Sequence, residues 1–137
     1  MNRQDFQNLA VMRLKDAEVL LNNNQYSGAY YLSGYVVECA LKACIAKNTR
    51  EFDFHDKKIV AESYTHDLEK LVKATKLDTQ LKSTTKININ FESNWAVTKD
   101  WTEESRYTTH TQQQAEQIYS AISDPNNGVL QWLQQHW

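Results

Sequence analysis

"GAYYLSGYVVECALKACIA", Gly28 to Ala46, is the most apolar run of the chain, and its reading decides the class of fold. It has about the length of a membrane span. Glu38 and Lys42 stand in its middle, however, and a charge at that depth costs about 2.5–3.5 kcal/mol on insertion scales. A helix buried in protein is therefore expected, starting from Ser27 as N-cap and running to about Asn48 or Thr49. Tyr30, Ser33, Gly34, Val37, Leu41, Cys44 and Ile45 form its inner face, with Ala29, Val36 and Ala40 beside them. Ser33, Gly34, Ala40 and Ala43 keep the surface thin, so a neighbouring helix can approach closely. Cys39 and Cys44 lie roughly 140° apart around that axis and cannot bond each other. They read as small core residues of a reduced, cytoplasmic protein.

Working towards the N-terminus, Phe6, Leu9, Ala10, Ala17, Leu20 and Leu21 recur at helical spacing over residues 5–21. "NNNQY" interrupts them, and so short a link implies an antiparallel helix pair. The opening "MNRQDFQ" lacks the apolar centre of a signal peptide, so no export is expected. Towards the C-terminus, "NTREFDFHDKKIVAES" has no sustained period and reads as a surface loop with one short turn. "HDLEKLVKATK" then starts a third helix near His66, with Leu68, Leu71 and Val72 inward. "KININF" alternates like a strand but would have no partner, so residues 78–101 are expected to form short helical pieces. The last long helix begins near His110 to Gln112, where Thr111 with Gln114, or Thr109 with Gln112, fits a capping box. Ala115, Ile118, Tyr119 and Ile122 are its buried stripe. "SDPNNG" breaks it, with Asp124 as a cap and Pro125 in a first turn. Leu130, Trp132 and Leu133 anchor a terminal amphipathic piece. The expectation is one all-α domain over residues 1–137, an up-and-down bundle of four to five helices.

Composition narrows the function. A 137-residue chain with 41% hydrophobic residues can fill one core. Its 15 basic and 17 acidic side chains leave a formal charge of −2, which argues against wrapping duplex DNA. His55, His66, His110 and His136 share no metal-ligand spacing, and no glycine-rich phosphate loop is present, so neither metal nor cofactor is expected. Lys70, Lys73, Lys76, Lys82 and Lys86 could line an RNA path, although a solvated face is the simpler reading. Tyr30, Tyr31, Tyr35, Trp95 and Trp101 read as core or interface aromatics before stacking platforms.

Three landmarks occur in order along nearly the whole chain: Glu38 shortly before Leu41-Lys42-Ala43, then His66-Asp67-Leu68, then Arg106-Tyr107. With the alanine- and tyrosine-rich second helix, this set resembles the HEPN domain family (higher eukaryotes and prokaryotes nucleotide-binding). The resemblance implies a helical bundle that usually forms a homodimer. It also implies a toxin–antitoxin or defence setting, in which many members stand beside a minimal nucleotidyltransferase. The catalytic branch of the family comprises metal-independent ribonucleases in which four to six residues separate an Arg from a His, the two copies facing each other in a dimer.

In such a site an Arg fork holds the phosphate and a His moves the proton of the ribose hydroxyl or the leaving oxygen. Arg106 and His110 are the matching residues here, but only Tyr107, Thr108 and Thr109 separate them, and the cap at Thr109 or Thr111 starts a helix at or after His110, leaving Arg106 in the preceding loop. Arg50 and His55 have the literal spacing, yet they fall after the second helix, among Glu51, Asp53 and Asp56, which would repel phosphate. Glu38 is expected to pair with Lys42 or with Arg106, Tyr107 to join the core, and His66 and Asp67 to open the third helix by capping it. The favoured function is a non-catalytic homodimer that binds RNA, a nucleotide or a nucleotidyltransferase partner. The alternatives are a ribonuclease using Arg106 and His110, and a helical protein-interaction module without a nucleic-acid role.

Overall fold

The computed structural model describes residues 1–48 and 57–137, so the Arg50–His55 pair lies outside the described residues. The chain is all-α: α1 Arg3–Asn22, α2 Tyr26–Lys47, α3 Lys57–Glu62, α4 Leu68–Thr75, α5 Asp78–Ile87, α6 Ile89–Lys99, α7 Gln112–Ser123 and α8 Val129–Gln134. A 3₁₀ turn, Glu103–Tyr107, joins α6 to α7. No strand occurs among the described residues. None of the helices described is long and apolar enough to cross a membrane.

The first helix is closed at its start by a reciprocal cap. Asn2 Oδ1 accepts the Asp5 N–H at 2.9 Å, and Asp5 Oδ2 accepts the Asn2 N–H at 2.9 Å. The link to α2 turns at Asn24, whose φ of 62° is a left-handed conformation that asparagine tolerates. The antiparallel α1–α2 pair is the most extensive helix packing in the molecule. Ser27 does not cap α2, because the helix begins at Tyr26 and places Ser27 inside its first turn. Its hydroxyl oxygen instead accepts the His110 N–H from the segment that leads into α7.

The second helix is buried on almost every side from Ser33 to Ile45, because α1, α4, α7, α8 and the 3₁₀ turn all pack around it. An apolar surface without a polar face has to be covered this way, and burying a side chain such as Leu41 contributes about 1.5–3 kcal/mol. Gly34 is the point of closest approach. A Cβ there would meet the Trp101 indole at 2.2 Å, so glycine is what lets that ring lie on the helix. The indole Nε1 is buried without a hydrogen-bond partner, so apolar contact holds the ring in place. Trp101 in turn roots the 3₁₀ turn that follows it.

Asp67 caps α4, its Oδ1 accepting the Lys70 N–H at 3.1 Å, and Leu68, Leu71 and Val72 are buried as the spacing requires. "KININF" straddles a helix–helix junction. Asn88 ends α5 and caps α6 through the Phe91 N–H, which leaves Ile87 and Ile89 exposed on either side. Thr111 and Gln114 form the capping box of α7. Asp124 and Pro125 do not start the terminal helix. Asp124 Oδ1 accepts the N–H groups of Asn126 and Asn127 in a tight turn, and α8 begins at Val129 after Gly128. Those two N–H groups also hold the Asp124 carboxyl below its ordinary pKa.

Candidate functional site

Four positions on α2 face the same way: Tyr31, Tyr35, Glu38 and Lys42, at spacings of four, three and four residues. Together with Phe6 from α1, His66 from the approach to α4, and Glu103 and Arg106 from the 3₁₀ turn, they line an open concavity of about 500 Å³. The polar members form one continuous chain. Lys42 Nζ donates to Glu38 Oε2 at 3.2 Å, and His66 Nδ1 lies 2.9 Å from Glu38 Oε1. The other ring nitrogen, Nε2, is 2.6 Å from Glu103 Oε2, a close contact without hydrogen-bond alignment. Arg106 Nη2 then donates to Glu103 Oε1 at 3.0 Å.

Burial differs sharply along this chain. The Glu38 side chain is 3% exposed, whereas His66 and Arg106 are 49% and 44% exposed. A buried carboxylate needs partners, and Lys42 and His66 supply them. The pairing of Glu38 with Arg106 does not form; Glu103, three residues before Arg106, takes the guanidinium because it is local and shares the turn. Tyr107 is not in the core. It is 76% exposed, and the Arg106 guanidinium lies over its ring at 4.9 Å from the centroid. His66 is a side-chain partner of Glu38 and not a cap, a role that Asp67 fills alone. Burial, followed by the neighbouring Cys39 thiol, pushes the Tyr35 hydroxyl up to about 12, so it remains a protonated donor on the concave wall.

His110 has other surroundings. Its ring stacks on Tyr30 with centroids 3.8 Å apart and planes 8° from parallel, and its backbone N–H reaches Ser27 Oγ at 2.8 Å. Tyr30 sits about 100° around α2 from Tyr31 and borders a different groove, with Val97, Asp100 and Gln114. Burial lowers the His110 pKa, favouring the neutral ring, and its Nδ1 is buried without a hydrogen-bond partner. Among the described residues, no contact of Arg106 reaches His110.

Glu103 is the site residue that the sequence reading missed. Its signal was an acid three residues before Arg106, the spacing at which side chains of one helical turn meet. No group of His, Cys, Asp and Glu among the described residues could hold a metal ion. The five lysines do not make a uniform basic track: Lys73 and Lys82 share their groove with Glu69 and Asp78. Cys39 and Cys44 are both free and buried. A family model described as HEPN domain matches residues 4–135. Searches of curated proteins and of solved structures gave no match.

Proposed function

The chain belongs to the HEPN domain family, and we propose that it is a non-catalytic, cytoplasmic, homodimeric member acting as one domain over residues 1–137. Its ligand is RNA, a nucleotide or a minimal nucleotidyltransferase partner in a toxin–antitoxin or defence setting. One observation carries the reading: Arg106 and His110 have separate surroundings. Metal-independent cleavage needs the cation and the proton-transfer group at the same phosphate, within hydrogen-bond reach of the reacting atoms. In this chain Arg106 is engaged by Glu103 and Tyr107, while His110 lies flat on Tyr30.

Binding has better support than cleavage. The concavity combines Arg106 and Lys42 with the rings of Tyr31 and Tyr35, the pairing of cations and aromatic faces that nucleic-acid components use. The homodimer is favoured by the outer face of α1, where Val11, Met12 and Val19 are each more than half exposed.

The test is incubation of purified protein with total RNA in EDTA, beside Arg106→Ala and His110→Ala. Intact RNA in all three samples is expected. Cleavage by the wild type that both substitutions abolish would replace this reading with the ribonuclease one.

A further inference from the structure

Glu103 is placed where a ligand would be. Its two carboxylate oxygens divide between His66 Nε2, at 2.6 Å, and Arg106 Nη2, at 3.0 Å. A carboxylate that bridges an imidazole and a guanidinium occupies the position that two oxygens of a phosphate would take. The fork on either side of it is built and not incidental. Glu38, almost fully buried, fixes the ring of His66 through Nδ1 and is itself neutralised by Lys42. Both ring nitrogens of His66 face carboxylate oxygens, Nδ1 that of Glu38 at 2.9 Å and Nε2 that of Glu103.

Charge bookkeeping sets the class of ligand. With Glu103 in place, the cations Lys42 and Arg106 balance the two carboxylates of Glu38 and Glu103. With Glu103 swung out, Lys42 and Arg106 oppose Glu38 alone, and the uncompensated positive charge beside the His66 ring favours an anionic phosphate group. Glu103 can leave without disturbing the core. It is 27% exposed and stands at the first position of a short 3₁₀ turn, and His66 and Arg106 are already open to solvent. The concavity of about 500 Å³ lies within the range of about 300–1,000 Å³ usual for small-ligand sites, and Tyr31 and Tyr35 supply walls for a base.

We propose that His66 and Arg106 form a binding fork for a terminal phosphate group, that of a nucleotide or of a 5′-phosphorylated RNA end, and that Glu103 is its built-in occupant, displaced when the phosphate enters. The proposal rests on the binding reading given above, and it identifies the site and the ligand chemistry.

The experiment is a calorimetric titration of the full chain with AMP, adenosine, and a short RNA bearing either a 5′-phosphate or a 5′-hydroxyl. The proteins are wild type, Glu103→Gln, Glu103→Ala and Arg106→Ala, each checked for helical content. Removing the Glu103 charge should tighten binding of AMP, of the 5′-phosphorylated RNA, or of both, by roughly tenfold, the scale of one charge-assisted contact. A gain with AMP alone assigns the site to free nucleotides, and a gain that includes the RNA assigns it to RNA ends. Arg106→Ala should weaken the same ligands, and adenosine should not respond to Glu103. Unchanged or weaker binding of both phosphate ligands by both Glu103 variants would overturn the proposal, as would an equal gain with adenosine. If the 5′-hydroxyl RNA binds every variant alike while the phosphate gain is missing, the displaced-carboxylate site fails and the RNA-binding reading survives. If the wild type binds none of the ligands, the nucleic-acid reading fails with it.

Discussion

Around the stripe Tyr31–Lys42 of α2, Glu38, His66, Glu103 and Arg106 form a charged chain whose outer members face solvent. Around the first turns of the same helix, His110 is held by a ring stack and one backbone hydrogen bond, with a buried nitrogen left unpartnered. A short surface segment feeds both places. The first arrangement keeps charges available to an incoming ligand, whereas the second lays a titratable ring against an aromatic neighbour, where partial burial favours its neutral form. The contrast teaches that residues close in sequence need not share chemistry. What decides is which residue of the helix below receives each side chain.

The foundation of the Arg106 region is Trp101, so its loss should have the largest effect. Trp101→Ala is expected to cost about 3–5 kcal/mol in denaturant unfolding, and Gly34→Ala about 1–3 kcal/mol by forcing a Cβ into the indole. A Trp101→Ala loss below about 1 kcal/mol would mean that the 3₁₀ turn is anchored elsewhere. Glu38→Ala comes next, at about 1–3 kcal/mol, because it leaves Lys42 half-buried without its partner and frees the His66 ring. Measuring Glu38→Ala beside Arg106→Ala sharpens the contrast between buried and exposed ends of one chain, since Arg106→Ala should leave the melting temperature unresolved from wild type.

The His110 region should respond less. His110→Ala should lose about 0.5–1.5 kcal/mol of ring stacking. Smallest is its pH signature. Burial holds the folded-state pKa below the ordinary 6.5, so the unfolded chain takes up the proton first. The stabilisation is then fully present above about pH 6.5 and is lost as pH falls through the folded pKa. His110→Phe, which keeps a stacking ring, should flatten the fall in stability between pH 7 and pH 5 without removing it. His136, also lowered by burial, retains its share. An unchanged slope in His110→Phe would show that the ring does not titrate with folding.

The fold was largely legible because its signals are local. The unbroken apolar stretch of α2, the Asp67 cap, the Thr111–Gln114 capping box and the break inside "KININF" each act within a few residues. The errors came where long-range contacts reassign a local signal. Ser27 looks like a cap but is taken by the His110 backbone, 83 residues away. Glu38 and Arg106 were natural partners on charge alone, yet Glu103 and His66 intervene between them. Tyr107 suited a core by composition, but Trp101 already fills the space against Gly34. Apart from Glu103, the candidate residues themselves were visible in the sequence; their grouping was not, because it depends on which stripe of α2 each neighbouring segment meets.

The central claim is that Arg106 works with the α2 charge chain and not with His110. Parallel titrations of Arg106→Ala and His110→Ala with AMP and a short 5′-phosphorylated RNA test it most directly. The account predicts that Arg106→Ala weakens binding by roughly tenfold or more, while His110→Ala binds as the wild type does. Equal losses in the two variants, with a double variant no worse than either, would place both residues in one site and contradict it.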